Sequence, residues 1–196
     1  MCSERVCVVH LASASPRRRE LLEQIGVPVQ LVKCLVDEQP YRDEAAADYV
    51  QRVTQDKVRA GVAVAPTGAV VLAADTAVVL EGRILGKPTD QQHAHLMLRL
   101  LSGREHQVLT AVAVARGCDI RLQLVKTKVR FRSLSDAEIL AYWQTGEPAD
   151  KAGAYGIQGM GAVFVEHIEG SYTAVVGLPL AETALLLAEF SIPCWQ

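Results

Sequence analysis

Three stretches of this sequence bring together residue types that handle phosphate. The first is Leu11-Ala12-Ser13-Ala14-Ser15-Pro16-Arg17-Arg18-Arg19. Its small residues allow close backbone approach, and Ser15-Pro16 reads as a helix cap followed by proline at the first helical position. A helix start offers N–H groups without intrahelical partners and the positive end of the dipole; hydroxyls and guanidiniums around it make a phosphate site in outline. Arg19 precedes Glu23 by one helical turn and fits a surface ion pair with it. Ser13, Arg17 and Arg18 are left as the candidate anion contacts, although a capped helix with a charged first turn would use the same residues.

The second stretch, Val71-Leu72-Ala73-Ala74-Asp75-Thr76, ends an apolar strand on an acid. A carboxylate there is costly unless a cation or metal pairs with it, and ligand sites in α/β proteins favour the carboxyl ends of strands. Glu81-Gly82, read as a two-residue hairpin loop, sets Leu80 opposite Arg83 and Lys87 opposite Thr76. Asp75, Thr76 and Lys87 then become neighbours, provided the strand ends or bulges at Asp75, because alternation sends positions 75 and 76 to opposite faces. A purely structural Asp–Lys pair is the other reading.

The third stretch covers residues 146–161, which hold five of the chain's 14 glycines together with Glu147, Asp150, Lys151 and Gln158. Tyr155 and Ile157 suggest a packed loop that can bring backbone and polar groups up to a ligand. Neither GxGxxG after a strand nor GxxxxGK[ST] occurs, so dinucleotide and P-loop readings lack support. His93 and His95, two apart, point to different faces of a helix and suit surface roles better than a metal. Ser13 and Ser15 sit beside arginines rather than a histidine base, which makes them ligand contacts and not nucleophiles.

The elements that must position these stretches alternate between strand and helix. Strands are expected over 6–11, 29–36, 68–74, 77–80 with 83–85, 107–115 with 121–131, and 162–168. Helices are expected from Pro16 to a stop at Gly26, over 44–64 before Pro66, from a Thr89 cap to Leu101, from a capping box at Ser135-Asp136-Ala137-Glu138 to Trp143, and after Pro179. This is an α/β pattern without repeat or linker, and residues 1–196 read as a single domain.

Composition narrows the function. Of 196 residues, 50% are hydrophobic and 21% charged, which excludes intrinsic disorder. Twenty basic against 22 acidic residues leave a formal net charge of -2. That supplies no global field for a nucleic acid polymer or an anionic membrane, so an anion must be met by a local cluster. No apolar run is long enough to span a bilayer, and the N-terminus lacks the features of a signal peptide; the expected location is the cytoplasm. Five cysteines, at 2, 7, 34, 118 and 194, form no CxxC or Cys/His set and fit reduced thiols.

Taken in order and at their spacing, these stretches resemble the Maf family of nucleotide pyrophosphatases. The resemblance rests on Leu11 through Arg18, on Ala74-Asp75-Thr76 with Ile84-Leu85-Gly86-Lys87-Pro88, and on Gly146-Glu147-Pro148 through Gly159. Tyr49-Val50-Gln51-Arg52 through Lys57 is similar to a family helix, and Val36-Asp37-Glu38 to its acidic loop; Ala14 stands where many members carry glycine. The family implies a mixed, twisted sheet flanked by helices, of the inosine triphosphatase-like kind, often as a homodimer. It implies hydrolysis of a nucleoside triphosphate to monophosphate and pyrophosphate with a divalent cation, Mg2+ or Mn2+.

Within the family, Asp150-Lys151-Ala152-Gly153 with Tyr155-Gly156-Ile157-Gln158-Gly159 resembles the branch acting on dTTP and UTP; the sister branch acting on 7-methyl-GTP diverges here. Arg17, Thr76 and Gln158 match the family's specificity determinants. In that chemistry Asp75 serves as base or metal-holding carboxylate, with Glu38 as its acidic partner. Lys57, Lys87, Arg17 and Arg18 offset phosphate charge, Ser13 and the junction amides hold phosphate oxygens, and Thr76 and Gln158 discriminate base or sugar. The partner is thus a free nucleotide, with no nucleic acid polymer and no membrane. A non-catalytic nucleotide-binding module affecting cell division is the alternative, against which the intact set of Asp75, Lys87 and Arg17 argues.

Overall fold

The computed structural model describes residues 7–195; Val6, which the expected first strand includes, and Cys2 lie outside them. The sheet has strand order β2 (Val29–Leu31), β1 (Val9–Leu11), β3 (Val70–Leu80), β5 (Glu105–Arg116), β6 (Asp119–Phe131), β7 (Val165–Glu169), with β4 (Arg83–Leu85) paired to β3. By contacts the described residues form two compact units, one of residues 7–75, 110–124 and 177–195, the other of residues 76–109 and 125–176.

In the first unit β1 (Val9–Leu11) lies between β2 (Val29–Leu31) and the first half of β3 (Val70–Leu80), parallel to both, with His10 level with Gln30 and Val71. Parallel pairing buries both faces, which explains the unbroken apolar run from Val70 to Ala74. The crossover from β1 to β2 contains α1 (Pro16–Gln24), ended by Gly26 at φ 68°, the left-handed stop the sequence suggests. The crossover from β2 to β3 contains α2 (Ala46–Val64).

One buried cluster joins Val58 of α2 to Ala12, Val71, Ala73, Ala113 and Ala115. Alanines keep that surface low, and Gly61 lowers the helix further. A Cβ at Gly61 would stand 2.8 Å from both Ala12 Cβ and Val71 Cγ1. The strand expected over 29–36 stops at Leu31 because Val32 and Cys34 pack against this cluster. Their alternation serves helix packing rather than a ladder.

The second unit begins within β3, which continues through Asp75 to Leu80 instead of ending at Ala74. The hairpin to β4 (Arg83–Leu85) has the expected register, Leu80 opposite Arg83, but the ladder closes at Val78 opposite Leu85. Beyond it the Gly86 carbonyl accepts from Gly153 N at 3.0 Å, and the ladder does not extend to the expected Lys87–Thr76 pair.

Helix α3 (Gln91–Leu101) is capped by Asp90, not Thr89: the Asp90 carboxylate accepts from His93 N at 2.8 Å. Strands β5 (Glu105–Arg116) and β6 (Asp119–Phe131) are sheet neighbours, and helix α4 (Asp136–Gln144) begins on the expected Ser135/Glu138 capping box. Residues 147–164 form three short 3-10 turns where the sequence suggests a loop and the start of a strand. Strand β7 (Val165–Glu169) then pairs antiparallel with β6. Two helices follow, α5 (Tyr172–Val176), which no sequence signal announces, and α6 (Leu180–Glu189), which belongs to the first unit.

Cys7, Cys34, Cys118 and Cys194 take part in no disulfide among the described residues. Among the described residues no helix is long and apolar enough to cross a membrane.

Candidate functional site

Asp75 is 7% exposed, at the sixth residue of the strand after five apolar ones, and needs a cation. The cation is Lys57 of α2 rather than Lys87. Its Nζ lies 2.7 Å from Asp75 Oδ1 and 2.8 Å from Glu38 Oε1. Lys57 reaches Asp75 because Gly61, one turn further along α2, lets the helix sit low on the sheet. The Lys57 and Asp75 side chains are each 11% exposed, whereas that of Glu38 is 53% exposed, so the triad has a dry end and a wet one.

The strand-to-helix junction belongs to the same unit. Ser15 stands at the N-cap of α1 but its side chain caps nothing. Ser13 Oγ instead accepts from Ser15 N and from Arg18 Nη1, both at 3.1 Å. With its acceptor capacity engaged twice, the hydroxyl keeps one proton to donate. Arg18 is buried, and its Nε donates to the Gly177 carbonyl at 2.8 Å. Burial pulls its pKa below the usual arginine value, while the nearby charges of Asp75 and Glu38 oppose that shift. Arg17 is half-buried, and Arg19 makes the expected pair with Glu23 at 2.6 Å.

The structure therefore brings Ser13 to Arg18, and Asp75 and Glu38 to Lys57. Two positive and two negative groups cancel in this cluster. Among the described residues no group of three or more His, Cys, Asp or Glu side chains could hold a metal by itself. Two carboxylate oxygens converging on one ammonium do fit a small hard cation, which ordinarily takes one or two protein carboxylates and completes its shell with water and phosphate oxygens. Asp75 and Glu38 are the residues that would hold it.

Thr76, Lys87 and Gln158 fall in the second unit. Thr76 is half-buried, and Lys87 and Gln158 are exposed. His93 and His95 have local partners: His93 Nδ1 lies 3.3 Å from Thr89 N, and His95 Nε2 lies 2.9 Å from Asp136 Oδ1.

The loop that carries Gln158 is organised by Glu147, Tyr155 and His106, none of which has an individual role in the sequence analysis. Glu147 Oε1 accepts from Tyr142 Oη at 2.6 Å and Gly161 N at 3.1 Å, and Oε2 from Met160 N at 2.8 Å. Burial pushes the Glu147 pKa up, but these bonds and the Lys151 charge leave it below the ordinary value. Gly159 lies so close to this carboxylate that a Cβ would collide with Oε2. Beneath the loop, Tyr155 Oη meets His106 Nε2 at 2.8 Å, and both rings pack edge-on against Phe131. The glycine spacing after Glu147 was the available signal for the first network; nothing local in the sequence marks His106.

Fold and cluster define a mixed α/β protein with a basic, hydroxyl-bearing strand-to-helix junction beside a lysine shared by two acids, a combination suited to phosphate ligands. The chain belongs to the Maf family, the match to that family, described as Maf-like protein, covering residues 8–190. It is 54% identical over 191 residues to a dTTP/UTP pyrophosphatase of Saccharophagus degradans, covering 96% of this chain and 91% of that protein. It is 57% identical over 182 residues to a dTTP/UTP pyrophosphatase of Yersinia pestis, covering 93% and 92%. A solved dITP/XTP pyrophosphatase of Mycobacterium abscessus aligns with 94% of this chain and 95% of its own, at 17% identity and a TM-score of 0.41.

Proposed function

We propose that this protein hydrolyses dTTP and UTP to the nucleoside monophosphate and pyrophosphate. The observation that carries the reading is the Lys57 ammonium held at 2.7 and 2.8 Å between Asp75 and Glu38, in a chain of the Maf family. The names of its relatives and the Asp150-to-Gly159 segment support the pyrimidine branch.

Water adds to the α-phosphorus, the bond from that phosphorus to the α,β-bridging oxygen breaks, and pyrophosphate leaves with the electron pair. Asp75 accepts the proton of the attacking water. Lys57, oriented by its two carboxylates before substrate arrives, donates to a non-bridging phosphate oxygen. Ser13 contributes its remaining O–H, and Arg17 its guanidinium. Arg18 acts from behind, fixing Ser13. Asp75 and Glu38 would hold a divalent cation, Mg2+ or Mn2+, which would supply the positive charge that the self-cancelling cluster lacks. Lys87 offsets charge on the leaving group, and Thr76 and Gln158 select the base or sugar, the latter through its amide. The active form is a cytoplasmic homodimer.

Pyrophosphate release measured over dTTP, UTP, CTP, GTP and 7-methyl-GTP, with and without Mg2+ or Mn2+, tests this. Preference for dTTP and UTP with metal is expected; preference for 7-methyl-GTP would assign the sister activity, and no turnover on any nucleotide would leave a binding module. Asp75→Asn keeps the side chain's shape but removes its charge, and should lower pyrophosphate release by at least about 100-fold. An unchanged circular dichroism spectrum would show that the fold survives.

A further inference from the structure

Glu38 sits in a segment between β2 and α2 that has no helix or strand from residue 32 to 45, and residues 37–43 are exposed. A metal-holding carboxylate needs a defined position, yet such a segment cannot set one by its own ladder. The position comes from α2. Arg52 Nε donates to Glu44 Oε1 at 2.6 Å, and Nη2 donates to Glu44 Oε2 at 2.8 Å and to the Gln39 carbonyl at 3.0 Å. Its guanidinium also lies over the Tyr41 ring, 3.9 Å from the centroid. One turn earlier on α2, Tyr49 Oη donates to the Glu38 carbonyl at 3.0 Å.

This is not an ordinary surface pair. The Arg52 side chain is 19% exposed and that of Glu44 9%, and the contact is a two-oxygen fork, which only a guanidinium can make. The Glu44 carboxyl is held down to about 2, first by the Arg52 hydrogen bond, so the pair stays ionised throughout the neutral range. Glu44 in turn accepts from Tyr41 N at 3.0 Å, tying the far end of the segment to the same guanidinium. Arg52 and Lys57 belong to one rigid helix. The arm that fixes the segment and the ammonium that meets Glu38 therefore move together.

We propose that Arg52 is a positioning residue that latches the 37–44 segment to α2 and so sets Glu38 against Lys57 and the divalent cation. It touches no substrate. The proposal rests on the pyrophosphatase reading only for its effect on turnover; the latch itself is a matter of segment order and metal affinity.

Arg52→Met, Arg52→Lys and Glu44→Gln in the full chain provide the test. Hydrogen exchange at the Tyr41 and Glu44 amides should accelerate in Arg52→Met, while amides 55–64 of α2 stay protected. The Mn2+ concentration for half-maximal pyrophosphate release from dTTP should rise about 10-fold. At saturating Mn2+ turnover should return close to wild type, a split that general destabilisation would not give. Arg52→Lys, which keeps the charge but loses the fork, should recover only part of the effect. Arg52→Met combined with Glu44→Gln should be little worse than Arg52→Met alone, because the Glu44 change acts on a fork that the Arg52 change already removes. Unchanged exchange at Tyr41 and Glu44 would overturn the latch, as would a lowered melting temperature with an unshifted Mn2+ requirement. If the wild type hydrolyses no nucleotide, the pyrophosphatase reading fails, and the exchange measurement alone still decides the latch.

Discussion

Asp75 shows what a single buried charge demands. Its place at the end of an apolar run called for a cation or a metal and offered Lys87, the lysine reachable by counting along a hairpin. The register of that hairpin is correct as far as Leu85. Strand-to-strand counting, however, cannot see a partner delivered by a helix packed on the sheet, and the structure supplies Lys57. Removing that partner should be costly, since Lys57→Met leaves a carboxylate of 11% side-chain exposure without a counter-charge. A loss of about 3 kcal/mol in urea unfolding at pH 7 is expected. The double variant Lys57→Met, Asp75→Leu should recover much of it while remaining inactive.

His106 supports a pH prediction of definite sign. Burial lowers its pKa to about 4, so the folded state keeps it neutral where the unfolded chain, titrating at about 6.5, already takes a proton. The unfolded state then binds more protons, and stability rises with pH across that interval. Its contribution is complete above about 6.5, is lost progressively down to about 4, and changes no further below. The swing should be on the order of 3 kcal/mol. Unfolding free energies of the wild type and His106→Phe, measured between pH 7 and pH 4, check it: the difference between the two should shrink as the pH falls. A difference independent of pH would contradict the assignment.

At the scale of elements, the signals legible in sequence were those in which chemistry acts locally. Gly26 at the end of α1, the capping box at Ser135 and the loop of β3 and β4 all depend on near neighbours, and each is found. Apart from the cap of α3, which falls on Asp90 one residue past Thr89, what failed depended on distant packing. Residues 32–36 alternate as a strand does, but Val32 and Cys34 pack against the core under α2, and β3 continues through Asp75, where Lys57 makes an acid in mid-strand tolerable. The candidate site divided in the same way. Ser13, Arg17, Arg18 and Asp75 were readable as residue types in a junction or strand, whereas Lys57 and Glu38 came only from the family resemblance; Arg52 and Glu147 stood within the family-like stretches without a role of their own, and His106 carried no signal.

Gly61 illustrates the distant term in α2. Alanine would gain about 1 kcal/mol of helix propensity at this mid-helix position. Its Cβ, however, would lie 2.8 Å from Ala12 Cβ and Val71 Cγ1, closer than carbon atoms approach, and neither neighbour is the end of a flexible side chain. Overpacking costs about 1–3 kcal/mol, so the clash should outweigh the propensity. Gly61→Ala is expected to lower stability, and Gly61→Val more so. Because α2 would lift away from the sheet, Lys57 should lose its seat on Asp75, and turnover should fall in variants still folded at the assay temperature. Melting curves and pyrophosphate release on the same preparations would separate these effects.

For the whole molecule, a net charge of -2 excludes long-range capture of an anion but leaves local capture open. The local cluster is itself self-cancelling, with Lys57 and Arg18 set against Asp75 and Glu38. A triphosphate brought to it alone meets little surplus positive charge beyond Arg17; a triphosphate with a divalent cation meets two carboxylates able to accept that cation. Binding should therefore depend on both together, and linkage makes the dependence visible without turnover. A hydrolysis-resistant dTTP analogue with Mg2+, at 100 times its dissociation constant, should stabilise the native state by about 2.7 kcal/mol. For a chain of 196 residues that corresponds to a rise in Tm of about 5–10 °C. The analogue with EDTA should give a much smaller shift, Mg2+ alone little, and a thymidine oligonucleotide none. An equal shift with EDTA would mean that cations of the protein suffice for the nucleotide, and would remove the metal from the proposed site. A shift with the oligonucleotide would show that the near-neutral surface conceals a polymer-binding face.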